Sequence, residues 1–272
     1  TFGDAADAAG VQAETVAAGL SILEHPEELA AKGVSSDLSG ISHGLSAPAP
    51  RRVDTPMYRV YLVFGSVQGM CAQFDDHIAD FSAKVINQHS HSDGNASAHI
   101  VASGPRVATR LSDRGLSPSE TLNLEGSLQA IGNFVDNALV LIHELLRADA
   151  GVVHLVYNSR ADATSYTPIR RQLLPLDAEW LVELSNRQWR GNQIPGIVGG
   201  KAAYAAALVR QHLSNSLFRA ASESLAAENA IRLSSMQSAQ SNIDERLDEL
   251  RSAYNRLRQQ EITSEMLDIV GG

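Results

Sequence analysis

The C-terminal part of the chain contains no residue that would end a helix. Between Lys201 and Val270 there is no glycine and no proline, the two residues that disfavour helices most strongly. One helix of this length would extend about 105 Å at 1.5 Å per residue. The sequence therefore predicts a single helix over residues 201–270, ending at Gly271 and Gly272. A helical hairpin is the alternative, but it needs turn residues that this stretch does not offer.

Apolar residues recur at coiled-coil spacing in the second half of this run. Four of them are seven residues apart, and two more lie four residues after a member of that series. We call these six residues the apolar row: Met236, Ile243, Leu247, Leu250, Tyr254 and Leu257. Charged residues occupy the other sides, so the pattern predicts a helix that pairs along one side.

Composition and charge exclude several classes of protein. The chain has 272 residues and a net charge of −9, which argues against nucleic acid as a partner because phosphate binding needs a basic surface. Its one cysteine, Cys71, cannot form an internal disulfide, which favours a reducing compartment. No apolar run approaches the ~18–20 residues of a membrane span, so no direct membrane insertion is expected.

The rest of the chain divides into three parts. Residues 1–25 have apolar residues at helical spacing and predict an N-terminal helix. Residues 26–56 contain four prolines and no sustained periodicity, which indicates a connector. Residues 57–200 alternate short apolar runs with helical patterns and predict an α/β domain with a mainly parallel sheet.

Within this domain the strand signals are short runs that end at glycine. Strands are predicted over 58–64, 99–102 and 152–157, with a further one within 164–174. Ser117-Pro-Ser-Glu120 has the form of a capping box and predicts the start of a helix there.

No motif in the domain supports catalysis or cofactor binding. Gly65 and Gly69 have neither dinucleotide-loop nor phosphate-loop spacing, so no nucleotide site and no cofactor are expected. His143 and Glu144 lack a second histidine for a zinc motif. The segment from His89 to Asp93 could bind a metal, but its Ser- and Gly-rich surroundings favour a solvated loop. Cys71 has no activating neighbour, which favours packing at a helix start.

The C-terminal run carries motifs that resemble those of a known family. Ordered along the helix, they are Ser224-Leu-Ala-Ala-Glu-Asn229, Arg232-Leu-Ser-Ser-Met236, Tyr254-Asn-Arg-Leu-Arg-Gln259 and Ile262-Thr-Ser-Glu265. Their order and spacing are similar to those of the shaft helix of gamma subunits of F-type ATP synthases. Two stretches of the α/β domain agree with this resemblance: the one from Phe64 to Asp75, with Gly-Met-Cys at its centre, and the one from Val156 to Leu176.

The sequence departs from that family at specific positions. Val67 and Gln68 stand where the family has Asp and Arg, Ala72 and Gln73 replace a glycine pair, and Asp75 replaces an asparagine. The resemblance covers about residues 58–272 and is closest to the divergent N-type branch of F-type ATPases. Residues 1–23 would match only the distal end of the family's N-terminal helix, so the expectation is a missing upstream segment or a reduced shaft.

The resemblance implies a non-catalytic rotor subunit. Its expected fold is a Rossmann-like α/β domain without a nucleotide site, plus a long antiparallel coiled coil of the N- and C-terminal helices. Its expected partners are alpha and beta subunits, an epsilon-type subunit and a membrane c-ring, at the cytoplasmic face of a bacterial inner membrane. The matched positions that contact the catalytic ring are Arg258, Gln259, Thr263 and Glu265.

Two other classes of function stay open from the sequence alone. A homodimeric coiled-coil scaffold carrying an α/β module would pair the apolar row with its own copy. A small-molecule enzyme built on the sheet ranks last, because no catalytic signature supports it. The coupling ion, proton or sodium, and the direction of ATP turnover do not follow from these residues.

Overall fold

The computed structural model describes most of the chain from Tyr58 onward. Described are residues 58–71, 73–92, 97–147, 150–160, 162, 165–177, 179–180, 183 and 200–271, together with residues 4–6, 8–9 and 12. The predicted connector over 26–56 lies outside these residues.

A five-stranded sheet forms the centre of the molecule. Its strands are β1 (Tyr58–Phe64), β2 (Ser97–Ser103), β3 (Glu120–Leu122), β4 (Ala150–Arg160) and β5 (Tyr166–Leu174). The spatial order is β3-β2-β1-β4-β5, and every neighbouring pair is parallel except β4 with β5. The sheet is thus mainly parallel, as the alternating pattern predicts, with one antiparallel strand at its edge.

Within the described ranges, four helices with complete bounds accompany the sheet: α1 (Phe74–Ser92), α2 (Pro105–Ser112), α3 (Leu128–Arg147) and α4 (Lys201–Gly271). On one face, α1 and α2 pack on Tyr61, Val63 and Val156. On the other face, α3 and the first part of α4 cover strand residues such as Phe64 and Leu155. The sheet is therefore buried on both sides, which explains why β1 is apolar almost throughout.

Helix α4 is uninterrupted for 71 residues, as the absence of glycine and proline predicts. Its first part is buried, with Leu213, Leu217 and Ala221 at 1% exposure or less. From Met236 to Ser264 every residue is exposed. The helix thus begins as a core element of the domain and continues well beyond it.

The N-terminal helix is described only in part. Residues 4–6, 8–9 and 12 are helical, and Ala6 and Ala9 are buried at 7% and 4% exposure. The antiparallel coiled coil of this segment with α4 stays a prediction, as do the domain boundaries at residues 25, 56 and 200.

The predicted helix start at Ser117-Pro-Ser-Glu120 is wrong. Glu120 opens β3 instead, and the Ser119 amide donates to the Ile100 carbonyl of β2 at 2.8 Å. Pairing with the edge of the sheet gives the backbone amides of this segment hydrogen-bond partners, as a capping box would do at a helix start. The helix begins after Ser127, whose Oγ accepts from the Ala130 amide at 3.2 Å.

None of the described helices combines the length and the apolar character that crossing a membrane requires.

The junction between β1 and α2 leaves no space for a side chain at Gly65. A Cβ there would lie 2.3 Å from the Val107 Cβ and 2.9 Å from Asp75 Oδ1. We expect Gly65→Ala to lower the free energy of unfolding by about 1–3 kcal/mol, because the helix must move away from the strand end. Chemical denaturation measures this change.

Gly132→Ala is the matched control for that experiment. Gly132 lies inside α3, and no atom of a neighbouring described residue lies within 4 Å of its Cβ position. We expect this variant to be unchanged or more stable by up to about 1 kcal/mol, since alanine favours helix over glycine. Equal losses in both variants would contradict the close packing of Gly65.

Candidate functional site

The loop that follows β1 is fixed to the start of α1. The Ser66 amide donates to Asp75 Oδ1 at 2.7 Å, and Ser66 Oγ donates to Asp75 Oδ2 at 2.6 Å. The Gly65 amide donates to Ser103 Oγ of β2 at 3.1 Å. Asp75 lies in the first turn of α1, where a carboxylate also suits the helix dipole. This loop therefore has a defined shape rather than a mobile one.

The same loop holds α4 through one buried carboxylate. Glu228 is 1% exposed, and its two oxygens accept from the amides of Val67 and Gln68, each at 2.9 Å. Arg232, one turn further along α4, forms an ion pair with Glu228 and donates to the Gly69 carbonyl at 3.3 Å. We call the loop 65–71 with Glu228 and Arg232 the joint. It connects the loop after β1 to α4 through a buried and fully paired carboxylate.

The joint bears on the glycine-containing turn, where the sequence predicts no nucleotide site. Adjacent loop amides that point the same way are the groups that bind phosphate in nucleotide-binding turns. In this chain the amides of Val67 and Gln68 are occupied by the Glu228 carboxylate. An incoming phosphate would meet a buried negative charge instead of free donors.

Cys71 packs against the joint on the side of the α/β domain. Its Sγ lies 3.3 Å from the Gly69 carbonyl and 3.8 Å from Glu228 Oε1, and the residue packs with Phe74 and Ala227. Burial, and then the negative charge of Glu228, raise the pKa of this thiol. A protonated, 5% exposed thiol fits the packing role that the sequence predicts.

A second carboxylate ties α4 to the sheet. Ser159 Oγ of β4 donates to Glu223 Oε2 at 2.9 Å, and Arg219 Nε donates to Glu223 Oε1 at 2.7 Å. Burial first, and Glu223 next, raise the pKa of Tyr157 to about 12, so its hydroxyl stays protonated. The helix is thus fixed at two places that are five residues apart, which resists both tilting and rotation about its axis.

The residues predicted to contact a catalytic ring lie far from the joint. Arg258, Gln259 and Thr263 are exposed, and the side chain of Glu265 lies outside the described part. Thr263 Oγ1 donates to the Gln259 carbonyl of its own helix at 2.7 Å. Arg258 follows Glu228 by 30 residues in the same helix, which is about 45 Å along the axis. The structure therefore presents these groups on a projecting rod.

The apolar row lies on the same projecting part of α4. The exposed fractions of its side chains, in chain order from Met236 to Leu257, are 48%, 59%, 45%, 66%, 65% and 64%. Leu233, Ile262 and Met266 are also exposed, at 59%, 48% and 64%. A row of exposed apolar side chains is the kind of surface that often forms an interaction site in proteins.

The contacts that build the joint were not predicted, although Glu228 and Arg232 lie in the motifs quoted above. Glu228 follows Leu225 by three residues and so lies on the apolar side of the helix, and this is the signal that could have identified it. A carboxylate on the buried side of a helix needs donors close by. Which donors it finds depends on a loop about 160 residues earlier, and that pairing is not local information.

The prediction of a solvated loop at His89 is wrong. Helix α1 continues to Ser92, and the His89 ring is held by Tyr61 and Arg170. His91 and Asp93 lie outside the residues whose side chains are described. His143 lies on α3, as predicted, and burial lowers its pKa. Within the described part, no group of three or more His, Cys, Asp or Glu residues is arranged to hold a metal ion.

Comparison with known proteins identifies related sequences and folds. A family model described as ATP synthase matches residues 4–272. The ATP synthase gamma chain of Bacteroides fragilis (strain YCH46) is 28% identical over 235 residues, covering 85% of this chain and 80% of that protein. The ATP synthase gamma chain of Desulforamulus reducens is 28% identical over 250 residues, covering 91% and 83%.

Two solved structures share the fold at low sequence identity. A chain of the Euglena gracilis mitochondrial ATP synthase, in an assembly of OSCP, F1 and c-ring, superposes with a TM-score of 0.54 at 15% identity, covering 99% of this chain and 93% of that one. A chain of the Tetrahymena thermophila mitochondrial ATP synthase central stalk and c-ring gives a TM-score of 0.50 at 15% identity, covering 88% and 99%.

The joint predicts a large and specific loss of stability when its charge is removed. Glu228→Gln keeps the size of the side chain but leaves one loop amide facing an NH₂ group and removes the negative charge that pairs with Arg232. We expect the free energy of unfolding to fall by about 3 kcal/mol. Urea denaturation of the purified chain measures the loss.

Glu249→Gln supplies the matched control on the same helix. Glu249 pairs with Arg246 at 2.9 Å, but both side chains are well exposed, at 58% and 79%. We expect a change within about 0.5 kcal/mol. Similar effects of the two substitutions would show that the Glu228 contacts contribute little.

Proposed function

Because the chain belongs to the ATP synthase family, whose model matches residues 4–272, we propose that it is the central-shaft (gamma-type) subunit of a rotary F-type ATP synthase or ATPase. The names of the Bacteroides and Desulforamulus relatives support the gamma assignment. In this role the chain is non-catalytic, and ATP chemistry belongs to partner subunits. It couples ion flow through a membrane ring to conformational change at their catalytic sites.

The observation that carries this proposal is the division of α4 into a fixed root and an exposed rod. Its root is held in the domain by Glu223 and Glu228. Beyond Arg232 the rod projects with every residue from Met236 to Ser264 exposed, which is about 43 Å of helix. A rod whose root is fixed transmits rotation of the domain to its tip.

Coupling follows from the asymmetry of such a rod. Inside a threefold ring of alpha and beta subunits, the rod contacts each catalytic site differently at any moment. Each contact stabilises one conformation of its site, and rotation therefore shifts the three sites in turn. Arg258, Gln259, Thr263 and Glu265 are the proposed ring contacts, since three of them are exposed polar groups near the tip.

The apolar row requires a partner in this assembly. Residues from Met236 to Leu257 would not stay exposed to water. The N-terminal helix or the inner surface of the catalytic ring covers them in the proposed complex. The unfavoured alternative, a homodimeric scaffold, would cover them with a second copy, but no comparison supports it.

The α/β domain sits at the opposite end of the rod. We place it against an epsilon-type subunit and the membrane c-ring, so that the protein is peripheral at the cytoplasmic face of a bacterial inner membrane. The coupling ion is a proton or sodium, a choice made by the membrane ring.

Co-purification tests the proposal as a whole. If the chain does not co-purify with its alpha and beta subunits, the proposal is overturned.

The tip contacts predict a defect in coupling without a defect in folding. The double variant Arg258→Ala with Gln259→Ala removes a positive charge and an amide from an exposed helical surface. We expect the assembled complex to lose at least about tenfold in ion-coupled ATP turnover, equivalent to about 1.4 kcal/mol of lost coupling. The isolated chain should keep its thermal stability, because neither side chain is buried.

Arg256→Ala is the matched control for the tip. Arg256 is exposed and lies two residues before Arg258, on a different side of the helix. We expect coupling to be nearly unchanged in this variant. Unaltered coupling in the double variant, with normal assembly, would remove Arg258 and Gln259 from the set of ring contacts.

A further inference from the structure

Three aromatic rings stack between the end of α1 and the sheet. They are Tyr61 of β1, His154 of β4 and His89 in the last turn of α1, and we call them the histidine stack. Their centroids are 5.2–6.0 Å apart and their planes differ by 21–28°. Tyr61 and His154 are opposite each other in the sheet register and are 1% and 2% exposed, whereas His89 is half-buried.

Hydrogen bonds fix the protonation state of His89 in this arrangement. Arg170 of β5 donates to His89 Nε2, and a guanidinium has no acceptor to offer in return. Nε2 is therefore the unprotonated nitrogen, so Nδ1 carries the proton and donates to the Tyr61 hydroxyl at 2.6 Å. The bonds shown by the structure can form only while His89 is neutral.

The surroundings of the stack are positively charged. Burial, and then Arg170 and Arg59, lower the pKa of His89. Burial, Arg170, His89 and Arg59 lower the pKa of His154 to about 3. Neither ring nitrogen of His154 has a hydrogen-bond partner among the described residues. Both rings are thus neutral near pH 7.

The charged and polar side chains that face the end of α1 come from three strands. From β1 these are Arg59 and Tyr61, from β4 His154, and from β5 Arg170 and the neutral Gln172, which is opposite His154 in the register. Helix α2 reaches α1 near its other end, where Arg114 pairs with Asp76 and Asp80. Among the described residues, the charges that act on the rings of His89 and His154 are positive.

We propose that His89 is an acid-sensitive latch that holds the last turn of α1 to the edge strand β5. Protonation of Nε2 removes the lone pair that accepts from Arg170 and places a second positive charge against that guanidinium. The attraction becomes a repulsion, and the helix end detaches from the strand. All groups of the latch lie within this chain, so the proposal does not depend on the function proposed above.

The direction of the pH response follows from linkage. In the closed state the pKa of His89 is lowered, whereas in the open state it returns to its ordinary value of about 6.5. The latch therefore has its full strength above about pH 6.5 and weakens as the pH falls below it. One proton taken up on opening increases the open population by up to about tenfold between pH 7.5 and 5.5.

Hydrogen exchange on the intact chain tests the proposal. We expect amides of residues 83–92, after correction for the intrinsic exchange rate at each pH, to exchange faster at pH 5.5 than at pH 7.5, by up to about tenfold. Amides of residues 74–82 should not change. His89→Gln should abolish the response, because its amide accepts from Arg170 and donates to Tyr61 at every pH.

His77→Gln is the matched control, since His77 lies on α1 and its Nδ1 is 2.8 Å from another tyrosine hydroxyl, that of Tyr166. This variant should respond to acid as the unaltered chain does. An unaltered chain without the response, a response that persists in His89→Gln, or its loss in His77→Gln would each overturn the proposal.

A second pair of variants tests the role of the guanidinium. Arg170→Gln removes the positive charge, so the NMR titration midpoint of His89 should move up toward the ordinary value of about 6.5. Arg171→Gln changes the neighbouring residue on the other side of β5 and should leave the midpoint unchanged. Both residues are exposed on the edge strand, so both variants should fold. An unchanged midpoint in Arg170→Gln would overturn the latch.

Discussion

The buried carboxylate of Glu228 determines how the two parts of the molecule are connected. A charge that is 1% exposed is stable only if its oxygens are fully paired, and the amides of Val67 and Gln68 with Arg232 supply that pairing. The loop must therefore keep one shape, and α4 must keep one axial and rotational position. Because a one-residue shift of the helix would turn Glu228 away by about 100°, the contact fixes where every later residue of the rod points.

The sequence predicts those elements whose signals are local. The length of α4 follows from the absence of glycine and proline, and β1 from a continuous apolar run that both faces of the sheet require. Strand β3 was not predicted, because its three residues are partly or fully exposed and are ordered mainly by pairing with β2. Ser117-Pro-Ser-Glu120 satisfies the capping-box pattern equally well, and only the adjacent sheet edge decides against it.

The difference between local and distant information also separates the tip residues from the joint. The tip residues Arg258, Gln259, Thr263 and Glu265 lie in two short motifs on one helix, so they could be named from the sequence, and their role stays a prediction. Glu228 belongs to an equally recognisable motif, but its role depends on a loop 160 and 161 residues away in sequence. His89 was misjudged for a related reason. Its neighbours in sequence are polar, whereas its neighbours in space are Tyr61, His154 and Arg170.

The apolar row begins where the contacts of α4 with the α/β domain end. One side of α4 is therefore buried first by the domain and then by a partner. Contacts with the domain bury the helix up to Glu228, and Arg232 covers the joint from one turn beyond. Met236 then begins the row, one further turn along, so the apolar pattern continues where the domain ends. A single helix that left this side bare would expose apolar surface and bend easily. The partner that covers the row must therefore supply both burial and stiffness, and it must follow the helix for the length of three heptads.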